Sequence, residues 1–289
     1  MPHFFYLTFC IIYTIIIIDK VERRINMDKT SLGDRMKEYE NVSRIYFPRR
    51  IPLIIRLDGV AFHSYTKGFE RPYYIPFRKA MEYTTLALCE NIMGCKLGYT
   101  QSDEITLLLT DDDSFETQPW FGKNLEKIVS VSASMATSFF NKYAEQIILG
   151  KFPVEGNLEP LKKAVEDKVA CFDSRAFILP REEVLNVFEW RQQDCTRNAI
   201  ESAGQTYFSH SELFGKSCNE IQEMLFELEE INFNDYPVWF KRGVCVKKKP
   251  VEIETETGTI TRKKWFIDLD IPIFHKEPEY IEGLVYHRE

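Results

Sequence analysis

Apolar and polar positions alternate along this chain in blocks that outline a succession of elements. Residues 51–57 form an almost unbroken apolar run after Pro48, which predicts a buried strand ending at Asp58-Gly59. A loop rich in glycine, proline and aromatics follows, to about Tyr74. Phe77, Met81, Thr84, Leu88 and Ile92 then recur at helical spacing, so a helix is predicted over 75–93 with Gly94 as its stop. Residues 96–109 read as two strands around a polar tip, Gln101-Ser102-Asp103-Glu104. A long helix is predicted over 121–148, with small residues (Ser130, Ser132, Ala133, Ser134, Ala136) suited to packing on a sheet. A further strand over 169–177 is interrupted by Asp173.

The second half is more helical. Pro180 suits the first position of a helix, and Gly204 follows its last turn. Ser217 and Glu220 form a capping box for a helix reaching Glu229. From Val244 the pattern alternates, with Gly258 at the turn of a β-hairpin. The order strand, helix, two strands, helix, strand predicts an α+β fold. It is the βαββαβ pattern of a ferredoxin-like or polymerase-palm sheet, here with a helical annex and a C-terminal hairpin. The boundaries are 27–178 for a palm-like catalytic domain and 179–289 for the C-terminal region.

Residues 1–26 do not share this patterning. Positions 1–18 carry no Asp, Glu, Lys or Arg, and positions 15–18 are four isoleucines. The run is slightly short for a membrane span, and its basic residues follow it where a signal peptide would have them first. It is expected to be an extension of doubtful relevance to the fold, with an N-terminal membrane anchor as the rival reading. Soluble amphipathic sequence starts at Met27, with Thr30 or Ser31 as the N-cap of a helix.

Composition narrows the class. Of 289 residues, 44% are hydrophobic and 28% charged, which excludes a mostly disordered chain. The net charge of −7 argues, taken alone, against a nucleic-acid partner. The cations are clustered, however, at Lys241-Arg242, 247–249 and 262–264, and local charge is what meets phosphate. Seven cysteines with no CxxC pair indicate neither a disulfide framework nor a zinc ribbon. Reduced thiols and a cytoplasmic location are expected.

Two carboxylates stand out. Asp58 ends a buried strand and Asp103 sits at a hairpin tip, positions that neighbour each other in a βαββαβ sheet. At ~4 Å and an effective dielectric near 20, their repulsion is on the order of 4 kcal/mol unless a cation neutralises it. Hard oxygen ligands on an open site suit Mg²⁺ carried in with nucleotide phosphates. The same residues also read as a turn cap and a solvated loop aspartate. Arg56 lies inside the apolar strand and needs an anionic partner, Asp58 or a phosphate. Lys123 and Lys127, at i and i+4 near a helix start, are either anion ligands or a solvated face.

Five segments carry a resemblance: RLDGVAFHSYTKGFERP, GYTQSDEITLLL, FGKNLEKIVSVSAS, FDSRAF and WRQQDC. In order and spacing they resemble the tRNA-His guanylyltransferase family. The family has a palm domain and adds nucleotides to the 5′ end of tRNA in the 3′–5′ direction. It first activates the 5′-monophosphate with ATP or GTP, and the 3′-hydroxyl of GTP then attacks. The resemblance implies two Mg²⁺ ions, tRNA and nucleoside triphosphates as partners, and a homo-tetramer. It makes Asp58, Gly59 and Asp103 the metal ligands, with Asp58, Asp103 and Glu104 catalytic. It implies nucleotide contacts at Arg56, Asp58, Gly59, Val60, Ala61, Phe62, His63, Ser102, Asp103, Lys123, Lys127 and Asn198, and at Arg71, where many members have Lys.

One departure bears on the substrate. Eukaryotic members continue WRQ-x-DC into HINNLYNT, whereas this chain has Thr196-Arg197-Asn198-Ala199. That is typical of the Thg1-like branch, which resembles template-dependent polymerases that repair 5′-truncated tRNA. The expectation is therefore repair, with G addition to tRNA-His as the alternative. A nucleotidyl cyclase and a non-catalytic tRNA-binding protein are more remote.

Overall fold

A computed structural model describes residues 31–255 and 258–286. The chain divides by its internal contacts into Met1–Arg44 and Ile45–Glu289. In the first unit helix α1 (Leu32–Asn41) starts at Ser31, whose hydroxyl accepts the Asp34 N–H at 3.1 Å. This is the expected N-cap; the apolar residues 1–26 and Thr30 lie outside the described residues. Among the described residues, no helix is long and apolar enough to cross a membrane.

The second unit is built on a six-stranded sheet in the order β4-β1-β3-β2-β5-β6. The strands are β1 (Leu53–Gly59), β2 (Cys95–Gln101), β3 (Glu104–Leu109), β4 (Phe172–Ile178), β5 (Val244–Thr255) and β6 (Gly258–Asp268). Every neighbouring pair is antiparallel. The expected βαββαβ order is present, and the C-terminal hairpin joins the same sheet through β5 on β2. Period-two alternation splits the strands cleanly between two faces. Leu53, Ile55, Leu57, Ile105, Leu107 and Leu109 point into one core. It is covered by α3 (Ile75–Asn91) and α4 (Leu125–Ile148), and the short helices α2 (Phe62–Tyr65) and α5 (Glu159–Asp167) add to it. Ile54, Leu97, Tyr99 and Leu108 point the other way, into a second core with Val184 and Phe188 of α6 (Val184–Tyr207). Beyond these residues, toward the Asp58 end, the second face turns polar.

Three boundaries differ from the sequence pattern. The long helix begins at Leu125, because Phe121, Gly122 and Lys123 all have positive φ and make a tight turn. Asn124 caps it by accepting the Lys127 N–H at 2.8 Å. Strand β4 runs through Asp173, whose partner on β1 is Asp58. Helix α6 continues past Gly204 to Tyr207; a Cβ at 204 would lie 2.7 Å from Ile221 Cγ2, so this glycine serves helix packing. Its partner there is α8 (Cys218–Glu229), which starts at the expected Ser217–Glu220 capping box. Between them lies the short α7 (His210–Leu213), and α9 (Val238–Arg242) and α10 (Glu279–Glu282) complete the helices named here.

Candidate active site

The polar end of the sheet is built by strand register. Asp58 faces Glu104 on β3 and Asp173 on β4, so three carboxylates cross the sheet in one row on one face. Asp103 sits beside them, at the β2–β3 turn that Ser102 makes with φ of 48°. The Gly59 N–H donates to the Asp103 carbonyl at 3.1 Å, which ties the two predicted metal positions together. Burial pushes the Asp103 carboxyl up from its ordinary value, and the Asp58 charge adds to that. The Ser102 hydroxyl, donating to Asp103 Oδ1 at 3.0 Å, pulls the other way.

The glycine after Asp58 has a packing reason. A Cβ at Gly59 would lie 2.4 Å from the Phe62 ring. Phe62 is buried among Tyr65, Phe77, Phe140 and Phe172. The Phe62 ring is therefore part of the core and is not presented to the site. Val60, Ala61 and His63 are exposed around it, Ala61 with φ of 56°.

Glu104 is held in an ion-pair network. Arg191 Nε donates to its Oε1 at 2.6 Å and Arg191 Nη2 to its Oε2 at 2.8 Å. Arg56 Nη2 lies 3.2 Å from Oε2. This corrects the expected side-chain partner of Arg56, which is Glu104 and not Asp58. Both Glu104 oxygens thus meet arginines, which braces the hairpin tip that carries Asp103. Burial raises the Glu104 carboxyl from its ordinary value against the pull of Arg191 and Arg56. Asp194 extends the network to Arg191 at 2.6 Å and to Arg197 and Asn198. Arg197 is thus engaged within its own helix. The Thr196 hydroxyl donates to the Lys241 carbonyl at 2.8 Å, fastening α6 to α9.

Lys123 and Lys127 are not part of this cluster. Lys123 is buried, 3.0 Å from Asp111, and donates to the Ile51 carbonyl at 2.6 Å. Ile51 is seven residues before Asp58, about 23 Å along an extended strand. The topology is the cause. Strand β3 ends at Leu109 opposite Leu53, so the turn into α4 forms at the end of the sheet away from Asp58. Lys127, in the first turn of α4, lies toward that same end, its ammonium 6.0 Å from the Phe121 ring.

A cleft of about 360 Å³ opens beside the hairpin tip. Arg71, Ser102 and Asn198, distant in sequence, meet in its lining. Tyr73, Trp239 and Phe240 form an aromatic wall, with ring centroids 4.8 and 5.0 Å from Tyr73. Sequence patterning missed this wall, along with Arg191, Asp173 and Arg175; the available signal was the clustering of aromatics around Arg71-Pro72 and in the WRQQDC and VWFKRG segments. Among the described residues, no group of three or more His, Cys, Asp or Glu is arranged to hold a metal. Two carboxylates and a backbone carbonyl are nonetheless a hard-oxygen donor set, and the Asp58–Asp103 charge, faced by Arg175 only at 4.0 Å, fits a Mg²⁺ ion.

Comparison with known proteins places the chain in a family. A family model described as tRNAHis guanylyltransferase matches residues 33–180. A bacterial tRNA(His) guanylyltransferase (Thg1)-like protein has been solved in complex with ATP and with GTP. The ATP complex is 42% identical with a TM-score of 0.76, over 89% of this chain and 100% of that one. The GTP complex is 41% identical with a TM-score of 0.73, over the same shares. A probable tRNA(His) guanylyltransferase of Dictyostelium discoideum is 26% identical over 78% of this chain and 89% of that protein. The chain belongs to the tRNAHis guanylyltransferase family.

Proposed function

We propose that this chain is a Mg²⁺-dependent nucleotidyltransferase that extends the 5′ end of tRNA in the 3′–5′ direction after activating it with ATP or GTP. Template-dependent repair of truncated 5′ ends is the favoured activity. The observation that carries the reading is the Asp58–Asp103 pair, joined through Gly59 and left without a close counter-ion at an otherwise paired sheet end. Bound there, Mg²⁺ would neutralise charge on reacting phosphate oxygens. Asp58, Asp103 and the Gly59 carbonyl would hold it. The Glu104–Arg191–Arg56 network would keep the hairpin tip in place beneath it. Ser102, Arg71 and Asn198 line the neighbouring cleft, and the aromatic wall there offers a stacking surface for a base. Nucleoside triphosphates fit this cleft, in keeping with the ATP and GTP complexes of the bacterial relative.

The test is nucleotide addition to a 5′-truncated tRNA with all four nucleotides. Asp58→Ala and Asp103→Ala are expected to lower addition by at least a hundredfold with the fold retained. Unchanged addition by either variant would refute the reading. G addition to mature tRNA-His is the second reading, favoured by the names of the family and of the Dictyostelium relative. A side-by-side assay on the two RNAs separates them; preference for the full-length tRNA-His would select the second.

A further inference from the structure

The row of charges around Asp58 contains one cation that nothing holds closely. Arg56 of β1 faces Arg175 of β4, one row below the three carboxylates and on the same face. Arg56 is taken by Glu104, and Glu104 by Arg191. What is left is Asp58, Asp173 and Arg175. Arg175 Nη2 stands 4.0 Å from Asp58 Oδ2 and 3.8 Å from Asp173 Oδ2. Neither distance is a hydrogen bond. The Arg175 side chain is 59% exposed and makes no hydrogen bond among the described residues. It is therefore held between the two carboxylates by their field, and moving it breaks no close contact.

We propose that Arg175 is the resident counter-ion of Asp58, a positioning residue that a divalent cation must displace, with Asp173 as the anchor that retains it. The inference rests on the reading of Asp58 as a metal ligand. Its physical content is competition. A divalent cation on Asp58 and the Arg175 guanidinium 4.0 Å from Oδ2 repel each other, so the metal binds more tightly as Arg175 withdraws. Asp173, directly across from Asp58 and half exposed, offers the guanidinium a second carboxylate on the same face, so withdrawal does not strand it. The arrangement also explains why an arginine sits directly opposite Arg56. A like-charged cross-strand pair is unfavourable by itself, and the two carboxylates above Arg175 offset it. A further consequence is coupling to the substrate. An incoming polyphosphate attracts the same guanidinium, so nucleotide binding and metal binding assist each other.

The experiment is a titration of the full chain with Mn²⁺, with no nucleotide or RNA, reading free Mn²⁺ by electron paramagnetic resonance. Exposed ion pairs contribute ~0.4–1 kcal/mol in the upper part of their range, so Arg175→Ala is expected to tighten Mn²⁺ binding by about two- to fivefold. Arg175→Lys keeps the charge and is expected to stay near the parent. Asp173→Asn pushes Arg175 onto Asp58 and weakens binding, and it weakens it less in the Arg175→Ala background. Asp58→Asn is the control that separates the two readings. If Asp58→Asn abolishes binding while Arg175→Ala leaves it unchanged or weaker, only the role of Arg175 is overturned. If Asp58→Asn leaves Mn²⁺ binding intact, the metal reading of Asp58 fails and this proposal with it.

Discussion

The two ends of strand β1 carry the same kinds of charge in opposite states. At the Ile51 end, Asp111 is buried and fully matched. Lys123 lies 3.0 Å away, and the Arg50 N–H donates to its two oxygens at 3.0 and 3.1 Å. Both side chains of that ion pair are only 3% exposed. At the other end, Asp58 is 37% exposed and has Arg175 at 4.0 Å. Asp103 beside it has a carboxyl raised by burial and by Asp58. A buried charge with a complete set of partners is part of the framework. A half-buried pair of like charges is stable only because water, or a cation, can still reach it. Cation and carboxylate types alone do not separate the two ends; their pairing does.

That contrast can be broken most severely at the closed end. Lys123→Met should leave Asp111 buried without its counter-ion and cost about 3 kcal/mol of stability, measured by urea unfolding. Asp111→Asn added to it should recover part of the loss. A single-variant loss below about 1 kcal/mol would mean that the closed end is not a structural ion pair.

The ion-pair network beside Asp58 should respond next. Arg191→Ala removes two charged hydrogen bonds from buried Glu104 and should cost roughly 2–3 kcal/mol, with Arg56 supplying the remaining partner. It should also lower nucleotide addition, since the hairpin tip carrying Asp103 loses its brace. Normal stability by thermal unfolding would show that Arg56 alone suffices to hold Glu104.

The open end should answer with the opposite sign. Asp103→Asn removes one of two repelling carboxylates and is expected to leave the metal-free chain as stable, or more stable by up to about 1 kcal/mol, while nucleotide addition is lost. Destabilisation by more than about 1 kcal/mol would make Asp103 a framework residue like Asp111.

Much of the fold was legible in the sequence. The strand ending at Asp58, the helix over 75–93, the hairpin around Ser102-Asp103 and the Ser217–Glu220 cap all follow from local patterns that the structure reproduces within a few residues. The DG and QSDE segments were legible as chemistry through the family resemblance, since by pattern alone they read equally as a turn cap and a solvated aspartate. Lys123 and Lys127 were expected around the Asp58–Asp103 pair and lie toward the other end of the sheet, because helical spacing says nothing about which end of a sheet a helix starts from. Asp173 passed as an interruption because an isolated aspartate has low strand propensity, and only its pairing opposite Asp58 keeps it in β4.

By itself, then, the sequence determined the order of elements, the face each strand buries and the two aspartates that could meet at one site. These depend on periodicity and on turn residues within about ten positions of one another. Tertiary structure alone decided which charges are matched. Arg191 reaches Glu104 across 87 positions and Lys123 reaches the Ile51 carbonyl across 72. Such pairings are set by strand register and by the side of the sheet on which a helix lands, and no local pattern encodes either.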